Sequence, residues 1–292
     1  MSKTAPNPPL ALALILTATA FIAGTMLFAK MIGTGVLGDP LHPLQVSHGR
    51  FLFAFMAIST VALVMRPKIT QPNLKLHVGR TLFGWGGVTM MFAAVAFIPM
   101  SDATAISFLN PVFGMLLAIP FLGERVGPWR WFAAAMALGG ALILLRPGPE
   151  TFQVAALLAL AAAILMGAEL IFIKKLADSE TPFQILLINN ALGLTIATLA
   201  VFPVWVPPTG AQWAALAGIG VLMATAQACF VNAMARADAS FVTPFSYVTL
   251  IFAALYDLLI FDVWPDAISW LGAGVIVAGA VILAWREARL KT

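Results

Sequence analysis

Apolar residues fill this chain in ten long runs, at roughly 10 to 31, 43 to 65, 78 to 98, 102 to 122, 129 to 145, 152 to 173, 183 to 203, 212 to 234, 240 to 261 and 267 to 285. Each comes near the about 20 residues that a helix rising about 1.5 Å per residue needs to cross about 30 Å of hydrocarbon. Polar residues gather in the short breaks, among them "GTGVLGDPLHP", "RPKITQPNLK", "RPGPET", "ADSETP" and "VPPTGAQ". No soluble domain fits between them. Alternation at period two is absent, which argues against a barrel and leaves helices to satisfy the backbone in lipid. The pattern predicts an all-α integral membrane protein of ten transmembrane helices.

Two runs interrupt their own pattern. "MSDATAISFLNPVF" at 100 to 113 sets Asn110 beside Pro111, and "RADASFVTPFSYVT" at 236 to 249 carries Pro244, Ser246, Tyr247 and Thr249. Proline cannot donate to the carbonyl four residues back, so Pro111 frees the acceptor of Ser107 and bends the helix. In a bilayer such a break persists against protein or a watery cavity. Helices four and nine are therefore expected to be bent walls of a central cavity, with Pro111 and Pro244 at the bends. Ser107, Phe108, Asn110, Tyr247 and Thr249 are its candidate lining; the alternative is that prolines and polar groups only shape helix packing.

These two stretches belong to a wider internal repeat. "DAT" at 102 matches "DAS" at 238, "HPLQ" at 42 matches "TPFQ" at 181, "MLFAK" ending at Lys30 matches "LIFIK" ending at Lys174, and "GGALIL" at 139 matches "AGAVIL" at 278. Four matches in one order mean duplication, with halves at 1 to 147 and 148 to 292. Five helices per half is an odd number, so the second copy inserts upside down. Inverted repeats let two halves rock around one site at mid-membrane, which is how many carriers work.

Composition agrees with the pattern: 61% of 292 residues are hydrophobic, 10% are charged and the mean hydropathy is +0.98, against about 25% charged in soluble domains. The net charge of +4 concerns orientation. With the N-terminus inside, Lys3, Arg66, Lys68, Lys75, Arg80, Arg125, Arg130, Lys174, Lys175, Arg236, Arg286, Arg289 and Lys291 all fall on the cytoplasmic side, thirteen of sixteen basic residues. That asymmetry follows the positive-inside rule and places both termini in the cytoplasm. No basic cluster suggests nucleic acid. Lone Cys229 allows no intramolecular disulfide or cysteine metal site. The first run, with Lys3 before it, resembles a secretory signal, but its length and its match in the second half favour a retained helix.

"FLGER" at 121 to 125, the "DAT" turn leading to Pro111, and "LGAGVIVAGAVIL" at 271 to 283 resemble the EamA-type ten-helix members of the drug/metabolite transporter superfamily. The resemblance covers nearly the whole chain, although "IFDVW" stands where "FLGER" would recur. It implies a secondary transporter in a prokaryotic cytoplasmic membrane, exporting a small molecule by alternating access, without a cofactor and as a monomer. "SFLNP" is most like the amino acid exporters, including those for aromatic and large apolar side chains; drugs, amines or other small metabolites are the alternative cargo. An intramembrane enzyme would need clustered nucleophiles, bases or metal ligands, which three scattered histidines do not supply.

The remaining candidates are buried charges and aromatics. Glu169 lies five residues before Lys174, about 7 Å inside the helix end, where a carboxylate costs a few kcal/mol unless paired or used; it suits substrate contact, proton coupling or pairing. Arg50 can draw a substrate carboxylate or snorkel to the interface. His48, two residues away, faces elsewhere and reads as packing. Asp257 can serve coupling or pair with Lys30 or Arg50. Trp85, flanked by Gly84, Gly86 and Gly87, has room beside its indole; the resemblance places this part of helix three at the cavity. Gln227 and Phe230 are further lining candidates. Gly272 and Gly279, seven apart as are Ala133 and Gly140, form small-residue faces for helix packing.

Overall fold

The computed structural model describes residues 7–67, 69–123, 127–145, 154–177, 179–234, 236 and 245–289, all of it helix, turn or loop without a strand among the described residues. Pro244, the "DAS" turn and the Glu124–Arg125 pair of "FLGER" lie outside them. The helices are α1 (Pro8–Gly33), α2 (Pro43–Met65), α3 (Leu74–Val95), α4 (Met100–Ser107), α5 (Asn110–Leu122), α6 (Pro128–Leu145), α7 (Val154–Ala177), α8 (Pro182–Val201), α9 (Gly210–Met234), α10 (Val248–Phe261) and α11 (Ala267–Arg289). Among the described residues, six spans are long and apolar enough to cross a membrane. Large apolar side chains such as Leu63, Phe97 and Phe202 are exposed around the bundle, as lipid rather than water requires.

Helix starts follow the sequence closely. Asn7 Oδ1 accepts from the Leu10 N–H at 3.1 Å, His42 Nδ1 from Leu44 at 3.2 Å, and Thr181 Oγ1 from Gln184 at 3.3 Å. Pro8, Pro43 and Pro182 open the helices behind these caps, where their missing N–H costs nothing.

The two halves interlock. α3 packs along α7 and α1 along α9; α2 lies against α9 and α3 against α8; α5 crosses α7 and α10 crosses α1; α6 pairs with α11. Each pairing has its counterpart with the halves exchanged. Close crossings use glycine, because hydrocarbon offers no hydrophobic drive between helices and backbone approach must supply the packing. A Cβ at Gly140 would lie 2.7 Å from the Gly272 carbonyl, and one at Gly279 3.1 Å from that of Ala133. The two small-residue faces expected from the spacing therefore meet within the chain. The α3–α7 seam repeats the device: Gly84 makes room for Glu169, Gly87 for Met166 and Gly79 for Phe172.

Gln45 and Gln184, aligned in the repeated "HPLQ" and "TPFQ", mark opposite ends of the bundle. The Gln45 end carries residues 34–42, 96–99, 202–209 and 262–266; the Gln184 end carries residues 66–67, 69–73, 123, 127, 179–181 and 236.

The fourth run is two helices rather than one bent helix. α4 stops at Ser107 and α5 restarts at Asn110, with Pro111 among its first residues. Between them the turn tightens: Phe108 N–H bonds the carbonyls of Thr104 and Ala105, and Leu109 N–H that of Ile106 at 3.0 Å. Pro111 can neither donate to Ser107 nor pass its carbonyl sterically, so the ladder closes three residues back and begins again. A matching tightening precedes α10, where Thr249 N–H bonds Ser246 at 3.1 Å and Leu250 N–H bonds Tyr247 at 3.0 Å.

Candidate functional site

The two interruptions meet. Phe108 and Tyr247, one from each, are half-buried and touch edge to face with ring centroids 4.9 Å apart. Asn110 is half-buried beside them in sequence, and its carbonyl lies against α7, 2.8 Å from where a Gly167 Cβ would stand. Ser107 and Thr249 are buried, and each hydroxyl donates to its own helix backbone at 2.7 Å, to Thr104 and Ser246 respectively. Each hydroxyl is thus a second donor to a carbonyl that also accepts a backbone N–H at the turn. Pro111 is exposed at the start of α5.

A charged centre lies between α2, α3 and α7. Glu169 reaches over Gly84, where any Cβ would sit 2.8 Å from its carboxyl carbon. Its Oε1 is 3.4 Å from Arg80 Nε. Arg80 also donates through Nη1 to the Ile185 carbonyl at 3.1 Å. Arg50 lies within electrostatic range of both Glu169 and Arg80, and its guanidinium covers the Phe51 ring at 4.4 Å. It is 5% exposed, yet its Nε and Nη1 are buried without a hydrogen-bond acceptor.

Trp85 sits at the same depth. Thr89 Oγ1 donates to Ser47 Oγ at 2.9 Å, tying α3 to α2. The two helices run antiparallel, so one turn further along brings Arg50 on α2 level with Trp85 on α3. The Trp85 indole N–H is also buried without an acceptor. Gly49 and Phe51 fix this stretch of α2: Leu216 of α9 packs onto Gly49, and the Phe51 ring fills the space over Gly193 of α8.

Other candidates stand apart. Asp257 is fully buried at the Gln45 end, where Oδ1 accepts from Lys30 Nζ at 2.5 Å and Oδ2 from the N–H groups of Met100 and Ser101. It caps α4 and ties α10 to α1. On α9, Gln227 is half-buried with an unpartnered Oε1, and Phe230 is exposed. His48 packs edge-on against Trp205 at 5.7 Å. The crevice of about 280 Å³ beside Ala29, Leu41, His42 and Phe92 includes none of the candidates.

Arg80 is the residue that sequence reasoning missed as a site member. Counted as a charge of the cytoplasmic side, it is buried in the bundle. Its signal is the spacing Arg80, Gly84, Gly87, which lines one face of α3 at i, i+4 and i+7.

Over this architecture the profile of the EamA-like transporter family matches twice, at residues 9–146 and 153–285. The chain belongs to the EamA-like transporter family. Among its relatives, a riboflavin transporter of Rhizobium johnstonii is 36% identical over 73% of this chain and 71% of that protein. A riboflavin transporter of Vibrio cholerae is 30% identical over 82% of this chain and 84% of its own length. An S-adenosylmethionine uptake transporter of Rickettsia bellii is 26% identical over 86% and 87%. The chain is a transporter, not an enzyme. Amino acid export, the narrower expectation, appears in none of these three names; the wider class of small metabolites accommodates them all.

Proposed function

We propose that this EamA-like transporter moves a small organic metabolite across the cytoplasmic membrane by alternating access, with Phe108 and Tyr247 at the crossing of the two interrupted spans and Arg50, Trp85, Glu169 and Arg80 as the polar part of the binding site. The observation that carries this reading is the charged centre. A charge in mid-bilayer costs at least about 2.5–3.5 kcal/mol, and three of them stand between α2 and α3 of one half and α7 of the other. A merely structural cluster would satisfy its own donors; this one leaves donors of Arg50 and Trp85, and Nε of Arg80, without a hydrogen bond. In the proposed orientation the Gln184 end and both termini face the cytoplasm.

Amino acids remain a second reading for one reason: Arg50 and Glu169 offer opposite charges near one depth, as a zwitterionic head group requires. The test is flux into proteoliposomes of labelled riboflavin, S-adenosylmethionine and an amino acid mixture. Saturable flux of at least one above empty vesicles is expected. Neither flux nor equilibrium binding for any of them would remove the transporter-site reading.

A further inference from the structure

The geometry points to a cargo that carries a single carboxylate, bound by Arg50 beside the internal carboxylate of Glu169, which pairs with Arg80. This rests on the site proposed above and adds the chemical class of its ligand.

Charge comes first. Arg50 and Arg80 bring two positive charges and Glu169 one negative, so the described centre holds an excess of one. Arg80 is ion-paired to Glu169 at 3.4 Å, with its Nε making no hydrogen bond, and its Nη1 donates to the Ile185 carbonyl at 3.1 Å. Arg50 is only 5% exposed, and no acceptor reaches its Nε or Nη1. A buried guanidinium without acceptors is costly, and the group that matches its planar fork is a carboxylate accepting two parallel bonds. Level with it, the Trp85 N–H adds a third open donor. Among these open groups every one donates, so an amine or a quaternary cation finds nothing here except Glu169, which is engaged.

The excess of one charge also sets the valence. A carboxylate neutralises it, whereas a phosphate monoester at about −1.5 to −2 would overshoot. Glu169 already shows what such a ligand does, since its own carboxylate sits over Gly84 against Arg80. It competes for the guanidinium pair, and its removal frees Arg80 as a second receptor.

The experiment uses the full chain in lipid nanodiscs and measures equilibrium binding of matched probes: indole-3-acetate against indole-3-acetamide, and flavin mononucleotide against riboflavin. We expect indole-3-acetate to bind at least about tenfold more tightly than its amide, a difference of one charge-assisted contact. Arg50→Gln should erase that difference, Arg50→Lys should restore part of it, and Glu169→Gln should tighten the acid about tenfold and widen its margin over the amide. Because Glu169→Gln predicts a gain, it is not mimicked by misfolding, and monodisperse elution qualifies each variant.

Equal binding of acid and amide, or a difference that survives Arg50→Gln, overturns the inference. So does weaker acid binding in Glu169→Gln. Tighter binding of flavin mononucleotide than of indole-3-acetate, lost in Arg50→Gln, overturns the single-charge assignment in favour of phosphate. Saturable flux of riboflavin with no preference for either acid overturns the carboxylate class and leaves the transporter reading standing.

Discussion

Gln45 and Gln184 make the same two-pronged bond at opposite ends of the molecule. Gln45 Oε1 accepts from the Val206 N–H at 3.3 Å while its Nε2 donates to the Val206 carbonyl at 2.5 Å. Gln184 Oε1 accepts from the Thr70 N–H at 2.8 Å while its Nε2 donates to the Thr70 carbonyl at 3.2 Å. Each glutamine starts the second span of its half and pins the loop of the other half that follows the corresponding span.

In the proposed alternating-access cycle, two such bonds, one per end, bias the two halves in opposite directions. Removing either deletes two hydrogen bonds from a buried amide to an exposed loop residue, at about 0.5–1.5 kcal/mol each. We expect Gln45→Ala to raise labelling of an Asn110→Cys reporter by an impermeant maleimide from the Gln45 side, and Gln184→Ala to raise it from the other. Equal changes from both sides in both variants would mean general loosening and would remove the gating role.

How far the sequence revealed this molecule depends on which partner of each contact carries a signature. The helices, the duplication and the interrupted spans were legible because apolar length, proline and repeated motifs are local. "HPLQ" and "TPFQ" were visibly equivalent, yet their bonds were not, since the partners at Val206 and Thr70 are backbone groups that any residue presents. Glu169 declared itself as a buried carboxylate; its partner Arg80 was hidden among the basic residues assigned to one face of the membrane by charge alone. Asp257 was ambiguous between chemistry and structure until the start of α4, far away in sequence, supplied the N–H groups it caps.

Asp257 and Lys30 test whether that corner is held by charge or by capping. Lys30→Met leaves a buried carboxylate without its cation, and breaking a buried pair from one side costs about 3–5 kcal/mol. Adding Asp257→Asn removes the stranded charge and keeps a side-chain oxygen for the Met100 and Ser101 N–H groups. The double variant is therefore expected to melt above the Lys30→Met single variant in detergent. A double variant that loses the sum of the two single effects would show that the ion pair itself is dispensable to the coupling.

Two glycine substitutions separate function from packing. At Gly84 a new methyl meets the far end of Glu169 at 2.8–2.9 Å, a side chain that can swing away. At Gly140 it meets the Gly272 carbonyl at 2.7 Å and the Ile276 amide nitrogen at 3.0 Å, which can move only with α11. Gly84→Ala should keep its melting temperature within a few degrees and lose most of its flux. Gly140→Ala should lower the melting temperature clearly, with flux falling in proportion to folded protein. The reverse ranking would place the functional crossing at α6–α11 instead.

Glu180 gives the Gln184 end a defined response to acid. Burial alone would push its carboxyl up. The Asn73 backbone N–H at 2.9 Å, the His77 ring at 2.8 Å and the Gln184 amide at 2.6 Å all bond it, and with the His77 charge they outweigh burial and hold it below the ordinary range. A carboxyl lowered by folding stabilises the folded state fully above its unfolded value, about 4.3, and that contribution is lost as pH falls through the folded value. Glu180→Gln keeps the size and an acceptor oxygen but cannot titrate. The wild-type advantage over Glu180→Gln, measured as melting temperature in one detergent from pH 7 to pH 3, should stay level down to about pH 5 and shrink below it. An advantage that persists unchanged to pH 3 would mean that the carboxyl is not lowered by this network and that the charge of Glu180 does not hold α3 to the start of α8.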